Sequence, residues 1–250
     1  MPHVVALYRY PVKGFTPESC SALTVLEEGR IAGDRALAFR FADSGLPDHA
    51  WSKKYGFAVL ANTPGLARLD VRFDHAARRL RISTGDEVLA EAGLDDEGRR
   101  ELAAAVERYV LPLPDNPLVD HRERRPLDLI GDGATPRYQD SQRGEITLHA
   151  RESVAAVAAA LRKPDLDEAR FRSNIVIEGA AAWEEQAWIG RKVRIGAVEL
   201  EATRPKTRCL ATHANPRTGE RNTPATKIRS TRTGSAQRGP CDCLQEMSRR

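Results

Sequence analysis

The stretch that decides the fold class is residues 66–90, LARLDVRFDHAARRLRISTGDEVLA. Apolar residues at 66, 69, 71 and 73 alternate with charged residues at 68, 70 and 72, apart from one slip, which is the period of a strand with one buried face. A turn at residues 74–77 leads into an apolar run at 80–83, and Thr84-Gly85-Asp86 leads into a third run at 87–90. Short strands at this spacing predict an antiparallel barrel or sandwich.

The periodicity of apolar residues elsewhere in the chain predicts further strands and two helices. Between Asp95 and Val110 the period changes, with Leu102, Val106, Tyr109 and Val110 on one helical stripe and Asp95 in place to cap the helix. A second helix is predicted from about residue 152 to 163. The further strands are expected at residues 4–10, 36–41, 175–177, 192–195 and 198–202. The predicted class is therefore mainly β with a few helices (α+β).

The chain of 250 residues is long enough for one large domain or two small ones. Residues 111–117 hold three prolines and are predicted to be the junction between two halves, residues 1–112 and 118–250. Within residues 223–238 the only large apolar residue is Ile228, so this stretch is predicted to be a mobile, basic part of the tail.

The sequence favours a cytoplasmic protein with no membrane partner. The most apolar run, residues 154–161, is far shorter than a membrane span, and no signal-peptide pattern opens the chain. The cysteines, Cys20, Cys209, Cys241 and Cys243, are unevenly spaced, which predicts reduced thiols and not a disulfide framework.

Positive charge is concentrated at one end of the chain. The net charge of the whole chain is +4, whereas residues 201–250 alone carry 11 Lys/Arg and 4 Asp/Glu. Such an end attracts phosphate, an anionic cofactor or nucleic acid, although it could also be a solubilising tail. Single-stranded nucleic-acid sites interleave aromatic residues with the charge, and residues 201–250 contain none, which makes a nucleic-acid partner the weaker interpretation.

The first candidate site is Thr207-Arg208-Cys209, which follows a predicted strand. Arg204, Lys206 and Arg208 all lie within five residues of Cys209. Cations beside a cysteine favour its thiolate form, which both nucleophilic and metal-ligand chemistry require. The alternative is a small buried apolar residue, and the dense surrounding charge argues against it.

Two further candidates combine cations with strand ends. Arg172 and Asn174, at the start of a predicted strand, are two residues apart and so point to one face. A guanidinium beside an amide suits an anionic ligand rich in heteroatoms, such as a phosphate or a pterin. Lys13 and Arg35 each lie where a strand meets a loop, the usual place for binding groups. Taken singly, each of these residues could equally be a solvated surface group.

A fourth candidate, Cys241-Asp242-Cys243, could bind a soft metal or form a redox pair, although two exposed tail cysteines are the simpler interpretation. The chain contains no G-x-x-x-x-G-K-[ST], G-x-G-x-x-G, H-E-x-x-H or G-x-S-x-G motif. The sequence therefore offers no nucleotide-loop, zinc-protease or nucleophile-elbow signature.

Several of these motifs, in order, resemble one known family. Tyr-Pro-Val-Lys-Gly at residues 10–14 and Gly-Asp-Arg at 33–35 are similar to the N-terminal β-barrel domain that precedes MOSC domains. The MOSC domain itself is resembled by Phe-Arg-x-Asn-Ile-Val-Ile (171–177), Ala-Trp-Glu-Glu-x-x-Trp (182–188), Val-Arg-Ile-Gly (193–196) and Thr-Arg-Cys (207–209). The chain is also similar to the amidoxime-reducing component family.

The resemblance implies a fold and a cofactor. It implies two β-barrel-like halves, an N-terminal MOSC-type barrel at residues 1–112 and a MOSC domain at 118–250. It also implies a molybdenum cofactor of the molybdopterin type, with Cys209 as catalytic residue and metal ligand. The implied cofactor-binding residues are Lys13, Arg35, Arg172, Asn174, Thr207 and Arg208.

The resemblance further implies an activity, the reduction of N-hydroxylated small molecules. Electrons would come from a separate protein of the ferredoxin or flavin-reductase type, because the chain has no cysteine spacing typical of an iron–sulfur cluster. Two alternatives stay open. One is a sulfur carrier that holds a persulfide on Cys209 for cofactor or cluster sulfuration, and the other is a non-catalytic protein that binds anions or nucleic acid.

Overall fold

The structure is a computed structural model that describes residues 1–223 and the strand at residues 245–249. The two helices found in these residues are α1 (Asp96–Val110) and α2 (Arg151–Leu161). The strands found there are β1 (His3–Arg9), β2 (Glu18–Cys20), β3 (Ala38–Arg40), β4 (Asp70–Asp74), β5 (Arg79–Thr84), β6 (Glu87–Gly93), β7 (Asp128–Ile130), β8 (Ile146–Ala150), β9 (Ile175–Glu178), β10 (Lys192–Ile195), β11 (Val198–Pro205) and β12 (Gln245–Arg249). The predicted class, mainly β with a few helices, is confirmed.

The meander β4–β5–β6 is the structure predicted from residues 66–90. Phe73 pairs with Leu80 and Ile82 pairs with Ala90, so the alternating apolar residues share one face. That face is buried in the larger core cluster, together with the apolar stripe of α1. Leu66 differs from the prediction: it lies in a short 3-10 helix, Pro64–Arg68, which has its proline at the first turn.

Helix α1 forms for the reasons read from the sequence. The Asp95 side chain accepts a hydrogen bond of 2.8 Å from the Gly98 N–H, which satisfies a donor that the helix leaves unpaired. Leu102, Val106 and Val110 are buried along one face, against β6 and β7. The second predicted helix is also confirmed as α2, which ends where Arg162 adopts a left-handed backbone.

The largest sheet combines strands from the two ends of the described chain. Its order is β10-β11-β12-β8-β9-β1-β2, and all its pairs are antiparallel except β8–β9. The parallel pair requires a crossover, which α2 provides. Because β1 pairs with β9, the loop after β1 lies in the same part of the molecule as the loop before β9.

Strand pairing crosses the predicted junction at residues 111–117. Strand β7 follows the junction and pairs with β3, which precedes it, through Ala38 and Ile130. Leu118, Leu127 and Leu129 likewise pack in the core cluster of the meander and α1. The boundary between residues 1–112 and 118–250 stays a prediction, and the two segments share their sheets.

The two predicted closed barrels are not confirmed. Among the described residues, β10 and β2 are free edges of the seven-stranded sheet, and the other sheets have two and three strands. The large sheet does curl, since His3 on β1 and Val193 on β10 line a common pocket. Alternation of apolar and polar residues predicts strands with one buried face, but it does not specify whether the last edges pair.

Within the described part of the chain, no helix has the length and apolar character needed to cross a membrane. The predicted mobile stretch beyond residue 223, with Cys241 and Cys243, lies outside the described residues.

Candidate functional site

A pocket lies where the loops after β1, before β3, before β9 and after β11 meet. Its cavity volume is about 90 Å³, so the pocket is narrow in this structure, and it opens to solvent. A larger groove beside α1, with a volume of about 870 Å³, contains none of the predicted site residues. The predicted residues that line the pocket are Lys13, Arg35, Arg172, Thr207, Arg208 and Cys209.

The lining of the pocket is strongly positive. Its acidic residues are Asp140 and Glu145, and its cationic residues are Lys13, Arg35, Lys54, Arg170, Arg172, Lys206 and Arg208. A cleft lined by one sign of charge concentrates ions of the opposite sign. The pocket therefore favours an anionic ligand.

Lys13 is buried at the inner wall of this pocket, with 3% of its side chain exposed. Its ammonium donates to the Tyr138 carbonyl oxygen and to the Asp140 carboxylate, both at 2.8 Å. The Lys13 charge holds the pKa of Asp140 well below its usual range. Asp140 is therefore ionised at neutral pH, and 56% of its side chain faces solvent.

The Tyr10 ring is the platform for two of the arginines. The guanidinium carbons of Arg35 and Arg172 each lie 4.4 Å from its centroid, within cation–π distance. Burial raises the pKa of Tyr10 to about 12, so its phenol stays protonated and neutral at pH 7. The Tyr10 hydroxyl donates to the Ser173 carbonyl oxygen at 3.3 Å. Both arginines have positive φ angles, 50° and 53°, a strained backbone that is concentrated at functional sites.

Asn174 lies behind the pocket wall and does not line the pocket. Its amide nitrogen donates to the Tyr8 carbonyl oxygen at 3.1 Å and to Asp34 at 3.2 Å. The Asp34 carboxylate also binds Arg35, and it accepts the Tyr10 backbone N–H at 2.9 Å. These contacts assign Asn174 a place in the network that orients Arg35. Direct contact between Asn174 and a cofactor stays a prediction.

Cys209 lies just after β11, at the residue that precedes a 3-10 helix, Leu210–His213. Its thiol is free and partly buried, and it lines the pocket. Its carbonyl oxygen accepts from the backbone N–H of Thr212 at 3.1 Å and from the Thr212 hydroxyl at 3.0 Å. The neighbouring Arg208 donates to the Phe171 carbonyl oxygen at 2.9 Å, while Thr207 is exposed.

Gly14 forms a close contact that shapes the wall beside Lys13. Its φ angle is +82°, in the region that favours glycine, and a Cβ atom added there would lie 2.7 Å from the Val59 Cα. A side chain at this position would therefore push against backbone. Gly14 and Val59 both line the pocket.

The sequence interpretation missed several residues of the pocket, among them Gln139, Asp140 and Arg170. Gln139 donates to the Asp34 carbonyl oxygen at 3.0 Å, and its own side-chain oxygen is buried with no hydrogen-bond partner among the described residues. Residues 131–143 are mostly polar and contain glycine, which indicates a loop. Polar composition does not indicate which part of the molecule a loop faces.

Two comparisons with known proteins bear on this site. Residues 136–246 match the family described as MOSC domain. A stretch of 64 residues is 42% identical to "Mitochondrial amidoxime-reducing component 1" of Mus musculus. That stretch is 25% of this chain and 18% of the relative, so the similarity concerns a short part of both proteins.

Proposed function

We propose that this protein binds a molybdopterin-type molybdenum cofactor in the positive pocket, with Cys209 as the protein ligand of the metal. The match of residues 136–246 to the MOSC domain supports this proposal. We further propose that it reduces N-hydroxylated small molecules. The similarity to an amidoxime-reducing component from Mus musculus supports the second statement.

The observation that carries the proposal is the meeting of residues from distant parts of the chain. Lys13 lies in the loop after β1, Arg35 in the loop before β3, Arg172 before β9 and Cys209 after β11, yet all four line one pocket. A cofactor with a phosphate and a soft metal requires cations and a cysteine sulfur within reach of a single molecule. This set of residues supplies both.

The residues present fit the parts of such a cofactor. Guanidinium groups such as those of Arg35 and Arg172 bind phosphate through paired N–H donors. The orphaned, buried side-chain oxygen of Gln139 is an acceptor suited to the N–H groups of a pterin ring. The free thiol of Cys209 is the soft ligand. Gly14 allows the pocket wall to approach Val59 closely, because a Cβ atom there would lie 2.7 Å from the Val59 Cα.

When bound, the cofactor would be held by the pocket cations and Cys209, and it would supply two-electron redox chemistry. Conversion of an N–OH group to N–H consumes two electrons and two protons and releases water, and a separate redox protein would supply the electrons. Asp140, held ionised by Lys13, balances pocket charge and does not donate a proton at neutral pH. Val59, Leu60 and Ala211 give the pocket an apolar side that would hold the carbon skeleton of a substrate and exclude water.

The activity is tested with benzamidoxime as substrate and a chemically reduced viologen dye as electron source. Protein expressed in a host that makes the cofactor should release benzamidine, and a Cys209→Ala variant should not. A protein fully loaded with molybdenum and pterin that forms no benzamidine would leave a binding role only. A persulfide on Cys209 in metal-free protein would instead support the sulfur-carrier alternative.

A further inference from the structure

One buried arginine holds the segment that carries Cys209. Arg170 is 6% exposed and precedes the pocket residue Phe171 in the 3-10 helix Glu168–Phe171. One of its terminal nitrogens donates to the carbonyl oxygens of His213, at 3.0 Å, and Thr212, at 3.4 Å. Both carbonyls belong to the short helix that starts directly after Cys209.

The same helix is connected back to Cys209 by Thr212. The backbone N–H and the hydroxyl of Thr212 both donate to the Cys209 carbonyl oxygen. Thr212, whose carbonyl oxygen accepts from Arg170, is therefore also hydrogen-bonded to Cys209. The second terminal nitrogen of Arg170 donates to the Asn222 side chain at 2.7 Å. Asn222 in turn donates its backbone N–H to the His213 carbonyl oxygen at 3.2 Å.

No carboxylate within ion-pair distance of Arg170 is found in the described part of the chain. Burial lowers the pKa of Arg170, because removing a guanidinium from water without a paired anion is unfavourable. Backbone carbonyls and an amide offset that cost. A planar fork of N–H donors can reach all three oxygens at once, which a single ammonium cannot do.

We propose that Arg170 is the positioning residue that fixes Cys209 at the pocket wall. It acts through the Leu210–His213 helix and does not itself ligate the metal. Its importance for metal binding rests on the function proposed above, whereas its control of the exposure of the Cys209 sulfur does not. Without the Arg170 side chain, the Leu210–His213 helix loses the hydrogen bonds that Arg170 donates to it, and the Cys209 thiol becomes more accessible to reagents in solution.

The test measures alkylation of Cys209 by iodoacetamide in metal-free, folded protein, with peptide mass spectrometry as readout. Cys20, a partly buried free thiol in β2, serves as the reference in the same tube. Losing the Arg170 bonds in Arg170→Met should raise the rate at Cys209 by roughly 5–30-fold, the factor that corresponds to one or two lost net hydrogen bonds. The rate at Cys20 should stay within about twofold, because its strand is untouched.

Two milder variants keep the test informative if Arg170→Met does not fold. Arg170→Lys should recover part of the protection, since an ammonium can still donate to the His213 carbonyl. Asn222→Ala should accelerate alkylation less than Arg170→Met, because the bonds to Thr212 and His213 survive. An unchanged Cys209 rate, or an equal acceleration at Cys20, would overturn the proposal.

The metal provides a second readout that separates this inference from the proposed function. In protein from a cofactor-competent host, Arg170→Met should lower the ratio of molybdenum to pterin. The substitution disturbs the position of Cys209, whereas Arg35 and Arg172, which are proposed to bind the phosphate, are intact. A wild-type protein without molybdenum would refute the proposed function and leave the alkylation result standing. A loaded variant with the wild-type ratio would refute the consequence of Arg170 for metal binding.

Discussion

Replacing Gly14 with alanine tests whether the pocket wall depends on a close approach of two backbones. Gly14 combines a φ angle of +82° with a Val59 Cα that would lie 2.7 Å from an added Cβ atom. Gly45 offers a matched control, because it has a positive φ of +59° and no atom within 4 Å of its added Cβ. The two substitutions share the backbone strain, and the Gly14 substitution alone adds a steric clash.

The two effects can be given magnitudes. A left-handed backbone costs a non-glycine residue roughly 1–2 kcal/mol, which is the expected loss for Gly45→Ala. Forcing an extra methyl group against packed backbone costs roughly 1–3 kcal/mol more. Gly14→Ala should therefore destabilise the protein by about 2–5 kcal/mol in total.

The assay is urea unfolding of the two metal-free variants and the wild type, with the free energy of unfolding extrapolated to water. The expected result is a clearly lower free energy of unfolding for Gly14→Ala than for Gly45→Ala. Pterin content after expression in a cofactor-competent host should fall in the Gly14 variant alone, because Val59 must move. Equal destabilisation by the two substitutions would refute the close-approach argument.

Two further predictions concern charge. His149 and Arg151 lower the pKa of Glu168 to about 2, so its stabilising contribution is complete above its ordinary value of 4.5 and is lost as the pH falls towards 2. Glu168→Gln should lower the unfolding free energy at pH 7 by about 1–3 kcal/mol, and the difference should shrink at pH 3; a constant difference in the two urea titrations would contradict this. Lys13→Met removes the partner of Asp140 but keeps an apolar stem, so it should change the unfolding free energy by no more than about 1–2 kcal/mol while strongly reducing bound pterin. A pterin content equal to that of the wild type would exclude Lys13 from cofactor binding.

Local structure was largely predictable from the sequence. The Asp95 cap and the apolar stripe that follows it specify α1, and alternation within residues 69–73 and 80–83 specifies β4 and β5. These features depend on neighbours in sequence, where periodicity is informative. Leu66 was misassigned because Pro64 starts a short helix within the same apolar run.

Arrangement in three dimensions was less predictable. Closure of a sheet depends on how its edge strands meet, and nothing in the alternation of β10 or β2 specifies that. The structure brings Lys13, Arg172 and Cys209, which are far apart in sequence, to one pocket, and their roles towards a cofactor stay predictions. The motif at residues 171–177 gave no sign that the Asn174 side chain faces inward towards Asp34 and Thr147. The direction of this side chain depends on which side of β9 meets β8.

The proposed role of Cys209 is tested most directly by counting metal atoms. Wild-type protein and a Cys20→Ala control, both expressed in a cofactor-competent host, should contain about one molybdenum atom per chain, and Cys209→Ala should contain almost none. Molybdenum at the wild-type level in Cys209→Ala, with pterin present, would show that the Cys209 sulfur in the wall of this positive pocket does not hold the metal.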